Sequence, residues 1–159
     1  MGLLTPLAVR IGAIAWLPRL LPQITWIDTR LQAVTRGRLS LLTIAGLPNL
    51  SLTVRGRTSG IDRTTPLLCV PDHDGWLIAG SMFGGPSTPA WVHNLRAATA
   101  GRIRFHHRDV EVIATELADD DRSLAWALML RAWPNYALYE ARTSRLIPVF
   151  RLTPVGRGR

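Results

Sequence analysis

Two short runs that combine glycines, hydroxyls and arginines are the parts of this chain best suited to holding a phosphorylated ligand. The first, from residue 54 to 66, reads V-R-G-R-T-S-G-I-D-R-T-T-P. Arg57 and Arg63 stay charged at any cellular pH, and their planar forks match phosphate oxygens. Gly56 and Gly60 let the main chain approach a ligand closely. The surrounding pattern predicts a hairpin, with a strand over 50–55, a turn over 56–62 and a return strand over 64–70. A plain glycine turn with solvated arginines would carry the same letters, so the run does not decide by itself.

The second run, from 80 to 91, reads G-S-M-F-G-G-P-S-T-P-A-W and follows a short apolar strand over 75–80. Thr88-Pro89 has the form of an N-cap followed by a first-turn proline, which predicts a helix from Pro89 to about residue 99. The first amides of that helix, on Ala90 and Trp91, lack intrahelical partners and sit at the positive end of its dipole. With Ser81, Gly84 and Gly85 alongside, they make a candidate anion site. A capped helix without a ligand is the alternative. A third run, Trp133-Pro134-Asn135-Tyr136-Ala137-Leu138-Tyr139, spaces three aromatic rings three residues apart behind a helix-ending proline. Such a face walls a pocket or packs a short helix onto a sheet.

Taken in order, G-R-T-S-G-x-x-R-T-T-P, G-S-x-F-G-G-P-x-x-P-A-W-x-x-N-L-R-A and W-P-N-Y-A-x-Y-x-x-R-T-x-R-x-I-P-V-F resemble the deazaflavin-dependent nitroreductase family over residues 50–154. The resemblance implies an α+β fold built on an antiparallel split β-barrel. It implies coenzyme F-420, an 8-hydroxy-5-deazaflavin with a phosphate and an oligoglutamate tail, and hydride transfer to a quinone, nitro compound or activated alkene. Carried over residue by residue, it assigns Arg57, Thr58, Ser59, Gly60 and Arg63 to the cofactor's tail, and Thr65 and Pro66 to the border of its ring. Gly80, Ser81 and Met82 line the next strand end, and Ala90, Trp91, Val92, His93 and Asn94 complete the cofactor site. Trp133, Tyr136 and Tyr139 become substrate contacts, with Tyr136 also near the cofactor. Tyr136 and Ser81 are the candidate catalytic groups, because their hydroxyls can donate to an acceptor as negative charge develops on it.

The elements needed to position these residues are legible as about six strands with inserted helices. Gly101 marks the end of the helix that starts at Pro89, and a strand over 102–106 follows. His107-Arg108 turns into a strand over 109–117. Asp119, Asp120 and Asp121 open a helix that runs through Ala132, with Trp126, Met129, Leu130 and Trp133 on one face. A last strand spans 147–152. With 159 residues, 47% of them apolar, the chain has the size of one domain, read as a split barrel over 41–159 behind a helical extension over 1–40.

The formal charge is +8, and all 19 basic residues are arginine. That surplus favours an anionic partner without naming it. No nucleic-acid motif is present. A single cysteine, Cys69, excludes an internal disulfide and fits a reducing, cytoplasmic setting. His73, His93, His106 and His107 lack metal-ligand spacing, so no metal is expected. The first forty residues, with Trp16, Trp26, five arginines and a helical period over 24–36, either lie at an anionic membrane surface or cover the barrel or a second subunit. They are too interrupted for a membrane span. Unpaired sheet edges allow a homodimer. Two alternatives stand beside the leading reading: an FMN-binding split-barrel oxidoreductase, and a non-catalytic cofactor-binding or membrane-peripheral protein.

Overall fold

The computed structural model describes residues 47–156. The extension over 1–40 and its helix over 24–36 lie outside those residues. Seven strands, β1 (Asn49–Arg55), β2 (Asp62–Leu68), β3 (Val70–Asp72), β4 (Gly75–Ala79), β5 (Ala100–Phe105), β6 (Arg108–Glu116) and β7 (Val149–Pro154), form one sheet. Its order is β2-β1-β5-β6-β7-β4-β3, and every pairing is antiparallel. Three helices, α1 (Ala90–Ala98), α2 (Asp119–Ala132) and α3 (Asn135–Ala141), complete an α+β curled half-barrel.

The seventh strand arises where a single return strand was expected over 64–70. The chain breaks at Cys69, whose N–H leaves the ladder and donates to the Pro48 carbonyl at 3.0 Å. Before the break β2 pairs with β1, and after it β3 pairs with β4, so one continuous run supplies both edges of the curled sheet. Pro66 and Pro71 are tolerated there because an edge strand has backbone positions that need no ladder donor.

Strand alternation sorts the core into two clusters. Neighbours Leu77 and Ile78 on β4 are both fully buried yet belong to different ones. Ile78 packs inside the barrel with Leu50, Leu52, Ile103, Val112, Phe150 and the Trp91, Val92 and Leu95 face of α1. Leu77 packs outward with Val149 against Trp126, Met129, Trp133, Tyr136 and Tyr139 of the α2–α3 corner. The sheet is thus apolar on both faces near β4 and β7, a period-two pattern with helices on either side.

Three boundaries differ from the expectations for physical reasons. Helix α1 is capped at its start by Pro89 without any side-chain bond, so Thr88 does not act as the N-cap. Its end is set by Thr99, in the left-handed region at φ 53° with its N–H on the Leu95 carbonyl at 2.8 Å, and not by Gly101. Gly101 lies within β5, where a Cβ would stand 2.9 Å from the Thr53 carbonyl oxygen, so close strand approach is what requires it. The β5–β6 connection is the pair His106-His107, both at positive φ, as a two-residue hairpin twisted with its strands demands.

Candidate active site

A cavity of about 360 Å³ opens between β2, the loop after β4, the start of α1 and the α2–α3 corner. Thr65, Pro66, Leu67 and Leu68 of β2 form one wall, and Pro89, Ala90 and Trp91 form another. Ala79, Ser81, Met82 and Phe83 line its base, Trp133, Tyr136 and Tyr139 face them, and Leu47 closes one side. The lining is largely apolar, with few hydroxyls, the usual character of a site for a flat organic ligand.

The aromatic wall is rigid. Pro134, with no N–H to continue α2, separates it from α3, and the bend turns Trp133, Tyr136 and Tyr139 into the same space. Tyr136 and Tyr139 meet edge to face at 5.9 Å, Trp126 backs Tyr136 at 5.3 Å, and Phe83 meets Tyr139 at 5.5 Å. Trp133 donates its indole N–H to the Tyr139 oxygen at 3.3 Å. Burial drives the Tyr136 hydroxyl well above the usual phenol range, so it remains protonated and acts as a donor.

The base of the cavity is held in a costly conformation. Met82, Phe83 and Gly84 have φ of 47°, 54° and 80°, and the first two are not glycine. Left-handed backbone costs about 1–2 kcal/mol at each such residue. Gly84 is obligatory, because a Cβ there would lie 2.6 Å from the Tyr139 carbonyl oxygen. Two arginines beyond α3 hold the loop in place. Arg145 donates from Nη2 to the Ser81 carbonyl at 2.9 Å and from Nε to the Gly85 carbonyl at 3.1 Å. Arg142 reaches the Phe83 carbonyl at 3.5 Å and stands over the Tyr139 ring.

Arg57, Thr58, Ser59, Gly60 and Arg63 lie outside the cavity lining, in the turn and the strand start that lead into its β2 wall. The β1–β2 turn closes with Gly56 N–H on the Ile61 carbonyl at 2.9 Å and Gly60 N–H on the Gly56 carbonyl at 2.8 Å. Arg57, Thr58, Ser59, Gly60 and Arg63 are all exposed around it, and the Arg55 guanidinium folds against Gly60. Asn94, buried one turn along α1 from the cavity wall, accepts from both the Arg57 backbone N–H at 3.2 Å and its Nη1 at 3.3 Å. That pair of bonds ties the turn to α1.

The structure brings Thr65, Pro66, Ser81, Met82, Ala90, Trp91, Trp133, Tyr136 and Tyr139 together around one space. Gly80 and Val92 do not reach it. Val92 is fully buried inside the barrel, and a Cβ on Gly80 would fall 2.7 Å from the Val92 Cγ2, so these two serve helix-to-strand packing. His93 is half-buried on α1 outside the lining, and Asn94 spends its oxygen on Arg57. Leu47, Leu67, Leu68, Ala79, Phe83 and Pro89 were not anticipated as lining residues, nor were Arg142 and Arg145 as struts. Only their tertiary neighbours mark them, apart from the arginine spacing of the R-T-S-R run itself.

Comparison with known proteins decides the family. The family profile described as F420H(2)-dependent quinone reductase matches residues 25–154. The chain belongs to that family. It is 34% identical over 122 residues to the F420H(2)-dependent quinone reductase Rv1261c of Mycobacterium tuberculosis (strain ATCC 25618 / H37Rv), covering 75% of this chain and 82% of the relative. The solved structure of an F420-H2 dependent reductase, FDR-A, superposes with a TM-score of 0.62 at 32% identity over 66% of this chain and 93% of that one. A structure described as a domain-swapped dimer gives 0.64 at 28% identity over 80% and 96% of the two chains. Family membership makes the protein an oxidoreductase that passes hydride from reduced coenzyme F420 to a quinone, on the split-barrel fold of its structural neighbours.

The residues present fit that coenzyme. An apolar cavity bounded by flat rings suits a heterocycle, and the adjoining turn offers permanently charged guanidiniums for an anionic tail. A helix start without a side-chain cap adds unpaired amides beside it.

Proposed function

We propose that the cavity is the shared cofactor and quinone site and that its residues divide the work by chemistry. Arg57 and Arg63, with Thr58, Ser59 and Gly60, hold the phosphate-bearing tail at the hairpin turn. Thr65, Pro66, Ser81, Met82, Ala90 and Trp91 border the ring, and Trp133, Tyr136 and Tyr139 receive the acceptor. Bound there, the reduced coenzyme supplies the hydride. The chain's own task is to orient two flat partners, exclude water and donate hydrogen bonds where charge develops on the acceptor oxygen.

The observation that carries this reading is the Tyr136 hydroxyl, held protonated on the lining of the cavity that Ser81 also lines. With Ser81 it forms a pair of hydroxyls available to donate hydrogen bonds to a quinone oxygen as charge develops there. The same wall accepts nitro compounds and activated alkenes.

Titration with F420 should quench deazaflavin fluorescence saturably, and reduced F420 should turn over with a panel of quinones and nitro compounds. Saturable binding of FMN alone would replace this reading with the FMN alternative.

We also propose that residues 1–40 form a helical extension to a domain over 41–159, and that the extension's arginines and tryptophans contact an anionic membrane surface, where quinones reside. Among the described residues no helix is long and apolar enough to cross a membrane. Vesicle flotation that is unchanged after truncation of the extension would remove the membrane contact. The likeness to a domain-swapped dimer supports a homodimer, which sedimentation would test.

A further inference from the structure

We infer that Arg145 is a positioning residue for the hydride-transfer site, holding the Ser81–Gly85 loop in the left-handed form that presents Ser81, Met82 and Phe83 to the cavity. The inference rests on the cavity being the active site. Arg145 lies outside the cavity lining and reaches the site only through backbone carbonyls.

The geometry is that of a clamp. The two carbonyls it binds, on Ser81 and Gly85, flank the three residues with positive φ. The loop's own bonds are short-range: Gly84 N–H to the Ser81 carbonyl and Gly85 N–H to the Met82 carbonyl, both at 2.9 Å. Neither prevents the loop from relaxing as a unit to ordinary negative φ. A strained backbone persists only when surrounding contacts over-determine it, and here these are Arg145, the Arg142 bond to the Phe83 carbonyl and the Gly84 contact with α3. Arg145 grips both ends of the strained stretch.

The guanidinium fork is required for this. Nε and Nη2 donate in fixed directions to two acceptors at once, which a lysine ammonium cannot reproduce. The segment carrying Arg145 follows α3 directly, so one link couples the aromatic wall to the loop facing it across the cavity. The separation between Tyr136 and Ser81, the two hydroxyls proposed to face the acceptor, is therefore set through Arg145.

The test compares wild type, Arg145→Met and Arg145→Lys in F420 binding and in kcat/KM for one quinone, below the melting temperature of all three. Misplacement of a site wall by about 1 Å costs on the order of a hundred-fold in rate. Arg145→Met is expected to lose roughly ten- to hundred-fold in kcat/KM by the same reasoning, while F420 affinity falls by clearly less, because the loop loses ring contacts but the tail-binding turn is untouched. Arg145→Lys should fall between Met and wild type, and it carries the test if Arg145→Met does not fold. A lower melting temperature with unchanged kcat/KM in the variants would make Arg145 purely structural and overturn the inference. A salt-sensitive loss of F420 affinity with normal quinone kinetics would instead make it a ligand-binding group, and overturn it equally. Absence of F420 binding in wild type would sink the active-site reading itself, and the inference with it.

Discussion

Asn94 and Arg57 provide a quantitative test of how the charged turn works. If Arg57 grips the anionic tail, removing it as Arg57→Ala deletes a charge-assisted contact worth about 1.5–3 kcal/mol, roughly ten- to hundred-fold in affinity. Arg57 is exposed, so the lower part of that range applies at physiological salt. Asn94 is buried and its oxygen already accepts both Arg57 bonds, so Asn94→Ala acts by releasing the guanidinium. Re-ordering a free arginine side chain costs up to ~2 kcal/mol, which bounds the effect at about thirty-fold. In an Arg57→Ala background Asn94→Ala should then cost almost nothing. The assay is a double-mutant cycle of F420 affinity by fluorescence quenching, with melting temperatures as a control for the lost buried bonds. A coupling energy of about 1 kcal/mol or more is expected, well outside the ~0.3–0.5 kcal/mol within which independent sites add. Additive losses would mean that Asn94 meets the cofactor on its own account, and the positioning argument would fail.

Two further outcomes follow from the buried titratable groups. Tyr136→Phe should lower kcat for a quinone by about ten-fold or more while leaving F420 affinity nearly unchanged, the range expected for loss of a positioned donor; the reverse pattern in steady-state kinetics would assign Tyr136 to cofactor binding. Burial pushes the Cys69 thiol up to about 12 from 9.0, so the unfolded thiol ionises first. Stability from this group is fully present below pH 9 and is lost as pH rises towards 12, at about 1.4 kcal/mol for each pH unit above the unfolded value. Denaturant melts from pH 8 to 10 should show that slope, with Cys69→Ala flattening it, and an unchanged slope in the variant would refute the assignment.

What could be read from the chain alone is what local chemistry dictates. A short apolar run marked β4, alternation marked β6, a last strand read over 147–152 overlaps β7, Pro134 had to end α2, and a glycine turn flanked by arginines could be placed at the β1–β2 hairpin without any knowledge of its neighbours. The three motifs in order carried the family, and with it the cofactor and the reaction. Folding decided everything that depends on distant residues meeting. The break at Cys69 is dictated by pairing with opposite sheet edges, because the residues on either side of it satisfy different partners. Gly101 carries the signature of a helix stop, yet it is required by a strand lying against it, a contact invisible to local pattern. Val92 and Asn94 sit within one helical turn of the cavity wall, but rotation around α1 sends Val92 into the barrel and turns Asn94 towards Arg57. Arg145 lies some sixty residues from the carbonyls it binds. Hydrogen bonds of that separation have no periodicity to betray them, since their geometry comes from the closing of the barrel and not from the repeat of any helix or strand.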